Sequence, residues 1–215
     1  FTAKFGDEVR EMKLGTAYDF SADMGSLISE GQLKTVSGHV EDAKAKGATV
    51  IAGGKARPDV GPLFYEPTVL TDVTSEMECA ANETFGPLVS IYPVVSVDEA
   101  VEKANDTEYG LNASVWAAST AEGEEIAARL RSGTVNVNEG YAFAWGSLSA
   151  PMGGMGVSGV GRRHGAEGLL KYTEAQTIAT ARVLNLDPPF GMPPTIWQKS
   201  LLPMVQAVMK LPGRT

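Results

Sequence analysis

The chain has 215 residues, of which 43% are hydrophobic and 20% are charged, a composition typical of a globular protein. Its formal net charge of −8 disfavours contact with phosphate backbones, so we expect no nucleic-acid partner. The single cysteine excludes an internal disulfide framework and fits a reducing compartment, which predicts a cytoplasmic location.

Three further expectations concern ligands, membranes and the chain start. The cysteine and the two histidines are too far apart in the sequence to show metal-ligand spacing, so we expect no metal site. No apolar run reaches the length of a membrane span, so we expect no membrane partner. The first residue is Phe1 and no targeting leader is visible, which predicts that the chain starts within a longer protein.

The first half of the chain combines helical and extended patterns. Ser29 and Gln32 form a capping-box pattern that predicts a helix start, and Gly47 predicts its end. The other predicted segments are the end of a helix over 2–13, a loop over 15–28, a strand over Thr49–Ala52, a Pro/Gly loop over 55–63 and mixed extended structure over 64–73.

The middle of the chain carries the clearest architecture. Strands are predicted at Leu88–Val95, Asn112–Ala118 and Gly133–Asn138, and capping boxes at Ser96 and Ser119 predict a helix in each gap. Alternation of this kind indicates right-handed crossovers and a parallel sheet with covered faces. Ligands gather beyond the carboxyl ends of such strands, and the loop 139–150 leaves the third strand there. Its side chains Tyr141, Phe143 and Trp145 predict an aromatic pocket wall.

The last part of the chain is less regular. Residues 153–165 are rich in glycine, residues 173–183 have the β-branched pattern of a final strand, and residues 187–194 are rich in proline. Ile196–Leu211 is weakly amphipathic and is interrupted by Pro203. With Lys199, Lys210 and Arg214 as its only cations, this segment favours packing on a neighbouring subunit or domain over a membrane surface.

The most informative motif is Glu83-Thr84-Phe85-Gly86-Pro87, referred to below as the 83–87 turn. Gly-Pro predicts a turn, and the turn can hold a carboxylate and a ring facing a flat, hydroxylated ligand. From the residues alone, Glu83 is either a general base or a hydrogen-bond acceptor for ligand hydroxyls or local backbone. Phe85 is equally consistent with a core aromatic and a ligand contact.

Three other candidates have plain structural interpretations. The run 154–159 matches G-x-G-x-x-G, but no strand precedes it and no helix follows it, so a close-packed loop is favoured over a phosphate site. Arg162-Arg163-His164 could grip an anion, although a surface cluster or intrachain salt bridge is favoured. Cys79 lies near Glu76, Glu78 and Glu83, which would raise its pKa, so a structural thiol is favoured over a nucleophile.

Taken together, five motifs resemble those of aldehyde dehydrogenases and occur in the same order over roughly residues 1–180. They are Glu83–Pro87, like E-x-F-G-P; Asn105–Leu111, like A-N-x-x-x-Y-G-L; Ser132–Asn138, like G-x-x-x-V-N; Pro151–Gly154 with Ser158–Arg162, like P-F-G-G and S-G-x-G-R; and Lys171–Glu174, like Y-T-E. Residues 138–140 and 162–165 are similar to the succinate-semialdehyde dehydrogenase branch.

The resemblance implies an α/β fold, the parallel-sheet, three-layer catalytic domain of that family. It divides the chain into a catalytic-domain portion over 1–172, an oligomerisation strand over 173–184, and a Pro-rich tail with a terminal helix over 185–215. It also implies oxidation of a small aldehyde through a cysteine thioester, with hydride transfer to NAD or NADP. By position, Glu83 matches the glutamate that binds the nicotinamide ribose and Phe85 the aromatic beside the nicotinamide. Phe143 falls in the loop lining the aldehyde tunnel.

The chain also departs from the family pattern. Met152 replaces the usual Phe, and the family's nucleophile lies farther upstream of its E-x-F-G-P motif than the 82 residues that precede Glu83 in this chain. Cys79 does not match that nucleophile, so we expect no catalytic residue in this chain and no activity from it alone. Two alternatives stay open: a non-catalytic assembly module that pairs through its terminal strand, and an enzyme for another aliphatic or betaine aldehyde. The choice between NAD and NADP also stays open.

Overall fold

A computed structural model describes residues 1–17, 19–180 and 187–210 of the chain. The helices and strands within these ranges are α1 Thr2–Glu11, α2 Glu30–Ala45, β1 Thr49–Ala52, β2 Thr68–Thr71, α3 Glu78–Ala81, β3 Leu88–Ser90, α4 Val97–Asn105, β4 Asn112–Val115, α5 Thr120–Ala127, β5 Thr134–Val137, α6 Ala142–Gly146, α7 Gly165–Leu170 and α8 Pro194–Met209. The chain divides into two compact units, residues 1–169 and 170–215.

The first sheet of the larger unit consists of β1, β2 and β3 in that order. β2 pairs antiparallel with β1 and parallel with β3, where Thr68 lies opposite Leu88. Helix α2 contributes Val36, Val40 and Ala43 to the core, and all three are fully buried. Their spacing of four and three residues keeps them on one face of the helix.

The second sheet consists of β4 and β5, which run parallel with Asn112 opposite Thr134. Helix α5 connects the two strands and packs against both. Gly123 lies on the packed face of α5, where a Cβ atom would overlap the Val137 side chain. Absence of a side chain at this position therefore lets the helix approach the sheet.

The observed fold confirms the α/β class and the parallel pairing, but it corrects the strand arrangement in two respects. Among the described residues β3 and β4 belong to different sheets, so the three predicted strands do not form one sheet. Strand β3 also ends at Ser90 rather than Val95. Pro93 cannot donate to a ladder, and Val95 is 96% exposed, so the apolar run continues as an irregular segment.

The predicted caps are present at three helices. The hydroxyl of Ser29 accepts a hydrogen bond from the Gln32 backbone N–H at 3.2 Å, and Ser96 and Ser119 accept equivalent bonds from Glu99 and Glu122 at 3.1 and 3.2 Å. Each cap satisfies one of the free N–H groups of a first helical turn. These bonds explain why the helix starts could be read from the sequence.

The smaller unit contains α8, which continues through Pro203. Residues 174–180 are exposed and are assigned neither to a helix nor to a strand, and residues 181–184 of the predicted strand lie outside the described ranges. A strand of this kind forms by pairing with a neighbouring strand, which for an oligomerisation strand belongs to another subunit. The oligomerisation strand over 173–184 and the domain bounds built on it stay predictions. Across the described ranges, every helix is too short or too polar to span a membrane.

Candidate functional site

The 83–87 turn lies between α3 and β3 and presents its acid and its ring to the surface. Phe85 is 78% exposed, and its backbone adopts a left-handed conformation with φ of 51°, which is uncommon for an aromatic residue. The turn is anchored where it enters the sheet, because the Thr68 N–H donates to the Pro87 carbonyl at 2.7 Å. Glu83 is also exposed.

Glu83 and Phe85 line an open cavity of about 850 Å³. The opposite side is formed by the segment that leads into β4, including Tyr109 and Asn112, and by residues 157–158 of the Gly-rich loop. The complete lining is Ala80, Ala81, Asn82, Glu83, Phe85, Ala104, Thr107, Tyr109, Gly110, Leu111, Asn112, Ala113, Ser132, Val157 and Ser158. Ala104, on α4, is exposed where it borders this cavity.

The electrostatics of the cavity are set by one carboxylate. Glu83 is the only acidic or basic side chain among the described lining residues, and neither a hydrogen bond nor an ion pair to its carboxylate is found within the described ranges. A carboxylate of this kind accepts hydrogen bonds from ligand hydroxyls. The absence of a lining cation among these residues disfavours recognition of a phosphate at the same place.

Cys79 lies on α3, four residues before Glu83, but its surroundings do not activate it. The thiol is half-buried against the core cluster of α2 and β2, and Ser90 Oγ lies 4.0 Å from its sulfur. Burial raises the pKa of the Cys79 thiol, which lowers the fraction present as thiolate. The structure therefore favours the structural-thiol interpretation.

Phe143 lies in a different place from Glu83 and Phe85. It belongs to α6 and lines a separate cavity of about 290 Å³ between β5 and the segment 150–152. The two cavities share no described lining residue. The 83–87 turn precedes its strand whereas α6 follows β5, so the topology places these groups at opposite ends of strands. The structure does not bring Phe143 to the other two, and its predicted role in substrate binding stays a prediction.

The Gly-rich loop is a close-packed connection. The Met155 N–H donates to the Gly110 carbonyl at 2.8 Å, and the Gly110 N–H donates to the Ser158 hydroxyl at 3.0 Å. Residues 156–158 form a single 3-10 turn, so no α-helix starts at the position where a pyrophosphate would need one. The loop interpretation is confirmed for 154–159.

The basic cluster that follows also makes internal contacts. Arg162 donates to the carbonyls of Gly154 and Gly161 at 3.0 and 2.7 Å, and the Arg163 guanidinium lies 5.7 Å from the centroid of the Trp145 ring. Neither arginine forms an ion pair with a described residue, so the intrachain salt bridge considered from the sequence is not found there. Neither arginine is among the residues that line the 850 Å³ cavity.

The sequence reasoning missed the contacts that α2 makes with the 83–87 turn. Gln32 was interpreted as part of a capping box, but its amide nitrogen donates to the carbonyls of Thr84 and Phe85 at 2.6 and 3.0 Å. His39 Nδ1 lies 3.0 Å from the Thr84 hydroxyl oxygen. These pairs are separated by 45 to 53 positions in the chain, so no local pattern could reveal them.

Comparison with known proteins points to one family. The aldehyde dehydrogenase family matches residues 1–178. A relative from Mycobacterium ulcerans, provisionally named succinate-semialdehyde dehydrogenase NADP(+) 2, is 88% identical over 214 residues, which cover 100% of this chain and 41% of the relative. The chain therefore spans less than half the length of that relative.

Comparison with solved structures leads to the same family. A succinate-semialdehyde dehydrogenase from Burkholderia pseudomallei matches with a TM-score of 0.73 and 38% identity, covering 80% of this chain and 35% of that one. A betaine aldehyde dehydrogenase from Staphylococcus aureus, solved in complex with NAD+, matches with a TM-score of 0.71 and 36% identity, covering 79% of this chain and 34% of that one.

Proposed function

Because this chain belongs to the aldehyde dehydrogenase family, we propose that the protein containing it oxidises succinate semialdehyde to the carboxylate, with NADP or NAD as the hydride acceptor. The observation that carries the proposal is the exposed 83–87 turn, which presents Glu83 and Phe85 to a cavity with no other charged lining residue among those described. The choice of succinate semialdehyde as substrate is supported by the 88% identity to the Mycobacterium ulcerans relative. The name of that relative also favours NADP over NAD.

The residues present fit part of a dinucleotide. The Glu83 carboxylate would accept hydrogen bonds from the ribose hydroxyls, and the exposed Phe85 ring would pack against a planar group. When bound, the dinucleotide supplies the hydride acceptor. We place the phosphates of the dinucleotide in another part of the protein, because the other described lining residues of this cavity carry no charge.

We place the nucleophile outside this chain. A cysteine-thioester mechanism needs an accessible thiol that ionises readily, and Cys79 is half-buried with a raised pKa. The 215-residue chain is therefore expected to be inactive alone, while the longer protein supplies the thiol and completes the dinucleotide site.

The proposal is tested by comparing two purified proteins, the 215-residue chain and the full-length protein that contains it. Each is incubated with NADP and succinate semialdehyde, and NADPH formation is followed by absorbance. We expect turnover from the full-length protein only. Sustained NADPH formation by the short chain would show that a nucleophile is present in it, and no turnover by either protein with NADP or NAD would reject the proposed reaction.

A betaine aldehyde is the second candidate substrate, favoured by the 36% identity to the Staphylococcus aureus enzyme. Kinetics of the full-length protein over a panel of aldehydes separates the two, because the preferred substrate has the higher kcat/KM.

We further propose a cytoplasmic homo-oligomer that assembles through residues 173–184. Deletion of those residues is expected to lower the mass measured in solution, and an unchanged mass would reject that interface. The alternative is a non-catalytic assembly module, which turnover by the full-length protein would reject.

A further inference from the structure

We propose that a contact between Arg163 and Trp145 positions helix α6, which makes Arg163 a positioning residue for aldehyde binding at the 290 Å³ cavity. The kinetic part of this inference rests on the proposed function and on the predicted substrate role of Phe143. The conformational part can be tested without either of them. The inference follows from the way the region around Arg163 holds α6 and the segment after it.

The wall of the 290 Å³ cavity includes a helix that is too short to be stable by itself. Phe143 on α6 and Ser147 directly after it both line the cavity. The bonds within this region are local, since the Ser147 hydroxyl donates to the Phe143 carbonyl at 2.7 Å and the Phe143 N–H donates to the Glu139 carboxylate at 3.3 Å. A helix of five residues is marginal in water, so its orientation depends on contacts from elsewhere in the chain. Strand β5 provides one such contact.

The segment after α6 is held by backbone hydrogen bonds. Met152 and Arg163 form an isolated antiparallel bridge, in which the Met152 N–H donates to the Arg163 carbonyl at 2.7 Å. The Gly165 N–H donates to the Leu148 carbonyl at 2.9 Å. These bonds fix the segment that follows the helix, but they do not reach α6 itself, which ends at Gly146.

The Arg163 side chain extends this hold to α6. Its guanidinium lies 5.7 Å from the centroid of the Trp145 ring, and tryptophan is the best partner for a cation–π contact. The Tyr141 ring packs against the same indole, with 6.0 Å between the two ring centroids. Arg163 forms no ion pair with a described residue, so no carboxylate within these ranges competes with the indole for the guanidinium.

The contact at Trp145 determines where Phe143 lies. Two residues that are two positions apart on a helix are rotated by about 200°, so Phe143 and Trp145 project from nearly opposite sides of α6. Phe143 lines the cavity, whereas Trp145 contacts Arg163 and does not belong to the described lining. Holding Trp145 therefore fixes the rotation of α6 about its axis, and that rotation sets how far the Phe143 ring extends into the cavity. Arg163 affects the cavity without lining it.

Substitutions at both ends of the contact test its role in the full-length protein. Arg163→Gln keeps a polar side chain and the backbone bonds but removes the cation, and Trp145→Leu removes the ring. Each is expected to raise the KM for succinate semialdehyde about threefold, the change that corresponds to one exposed cation–π contact. The KM for NADP and the melting temperature should stay unchanged. Because both variants lose the same contact, the double variant should show no larger effect than either single variant.

Two further variants serve as controls. Arg163→Lys keeps a cation that can lie over the indole, so its KM values should stay close to those of the wild type. Lys55→Gln removes an exposed cation that lines neither cavity, and it is expected to change neither KM.

Amide hydrogen exchange of a peptide covering residues 140–150 provides a readout without ligand. Exchange is expected to be faster in Arg163→Gln and Trp145→Leu than in the wild type, Arg163→Lys and Lys55→Gln. If the wild-type protein does not oxidise the aldehyde, the proposed function fails, and the exchange comparison alone then decides whether the contact positions α6.

Four results would overturn the proposal. One is wild-type exchange in Arg163→Gln, and another is faster exchange with an unchanged aldehyde KM in an active protein. The third is a parallel loss of melting temperature and rise of both KM values, which would indicate a general structural role. The fourth is an Arg163→Lys variant that behaves like Arg163→Gln, because the effect would then not depend on the cation.

Discussion

Glu83 combines exposure with a lack of partners, which is unusual for a carboxylate with a structural role. Because no described residue neutralises or hydrogen-bonds it, its removal should cost the fold little. We predict that Glu83→Gln in the full-length protein keeps the melting temperature and raises the KM for NADP about tenfold or more, through loss of charge-assisted bonds to hydroxyls. Steady-state kinetics with each substrate varied in turn provides the measurement.

Glu125→Gln is the matched control, since Glu125 is an exposed carboxylate on α5 that does not line the cavity. The control is expected to match the wild type in both KM values. If Glu83→Gln leaves the KM for NADP unchanged, Glu83 does not bind the dinucleotide, and the role carried over from the family resemblance is wrong for this protein.

Tyr65 gives a pH-dependent prediction at the residue scale. Its side chain is 3% exposed, and burial, reinforced by the nearby carboxylates of Glu41 and Glu66, raises its pKa from 10.0 to about 12. The folded chain therefore holds this proton more tightly than the unfolded chain. The resulting stabilisation is complete below pH 10 and is lost as the pH rises through 12, an effect of up to about 3 kcal/mol.

Urea unfolding of the chain at several pH values between about 8 and 12 tests this expectation. Tyr65→Phe removes the ionisable group, so it should show a smaller fall in the free energy of unfolding over that range than the wild type does. Tyr172→Phe is the control because Tyr172 is 79% exposed, and it should follow the wild type. Identical pH profiles for Tyr65→Phe and the wild type would contradict the prediction.

At the scale of elements, two helical glycines provide opposite expectations. Gly123→Ala places a methyl group against Val137 between α5 and β5, and this overpacking should lower the free energy of unfolding by about 1–3 kcal/mol. Gly38 lies in α2, where a methyl group would meet no heavy atom within 4 Å, so Gly38→Ala should raise the free energy of unfolding by about 0.5–1 kcal/mol through helix propensity. Urea titration of both variants measures the difference. A Gly123→Ala chain as stable as the wild type would show that α5 can move away from β5.

The predictability of elements follows from the range of the interactions that form them. The starts of α2, α4 and α5 depend on bonds between residues three positions apart, so the Ser caps predicted them. The end of β3 depends on Pro93 and on which strand lies beside it, and the predicted length was wrong. The division into two sheets depends on long-range pairing, such as β2 with β3, for which the sequence contains no local signal.

The candidate site shows the same limit. The 83–87 turn could be identified because its five residues are contiguous and resemble a known motif. The cavity beside the turn could not be identified in this way, because Tyr109, Asn112 and Ser158 are distant from the turn in sequence and are brought to the cavity by turns and strand pairing. Gln32 was assigned to a local cap. That pattern correctly predicted the hydrogen bond of its backbone N–H to Ser29, but it gave no indication that the side chain would contact Thr84.

At the scale of the whole molecule, the described site residues form part of a larger arrangement. The 850 Å³ cavity is open, and several large apolar side chains around the 83–87 turn and β4 are exposed, including Phe85, Leu111 and Trp116. The Mycobacterium ulcerans relative is more than twice as long as the segment that it shares with this chain. An open cavity with apolar walls fits a surface that the remainder of the longer protein completes.

Cys79 provides the last prediction, because it decides whether this chain contributes the nucleophile of the whole protein. Its thiol is half-buried and its pKa is raised by burial, so Cys79→Ser in the full-length protein is expected to retain kcat within about twofold of the wild type. A true thiol nucleophile replaced by serine would lose activity by several orders of magnitude. Measurement of kcat with NADP and succinate semialdehyde therefore distinguishes a structural thiol from a nucleophile. A loss of that size with an unchanged melting temperature would instead place the nucleophile in this chain, four residues before Glu83.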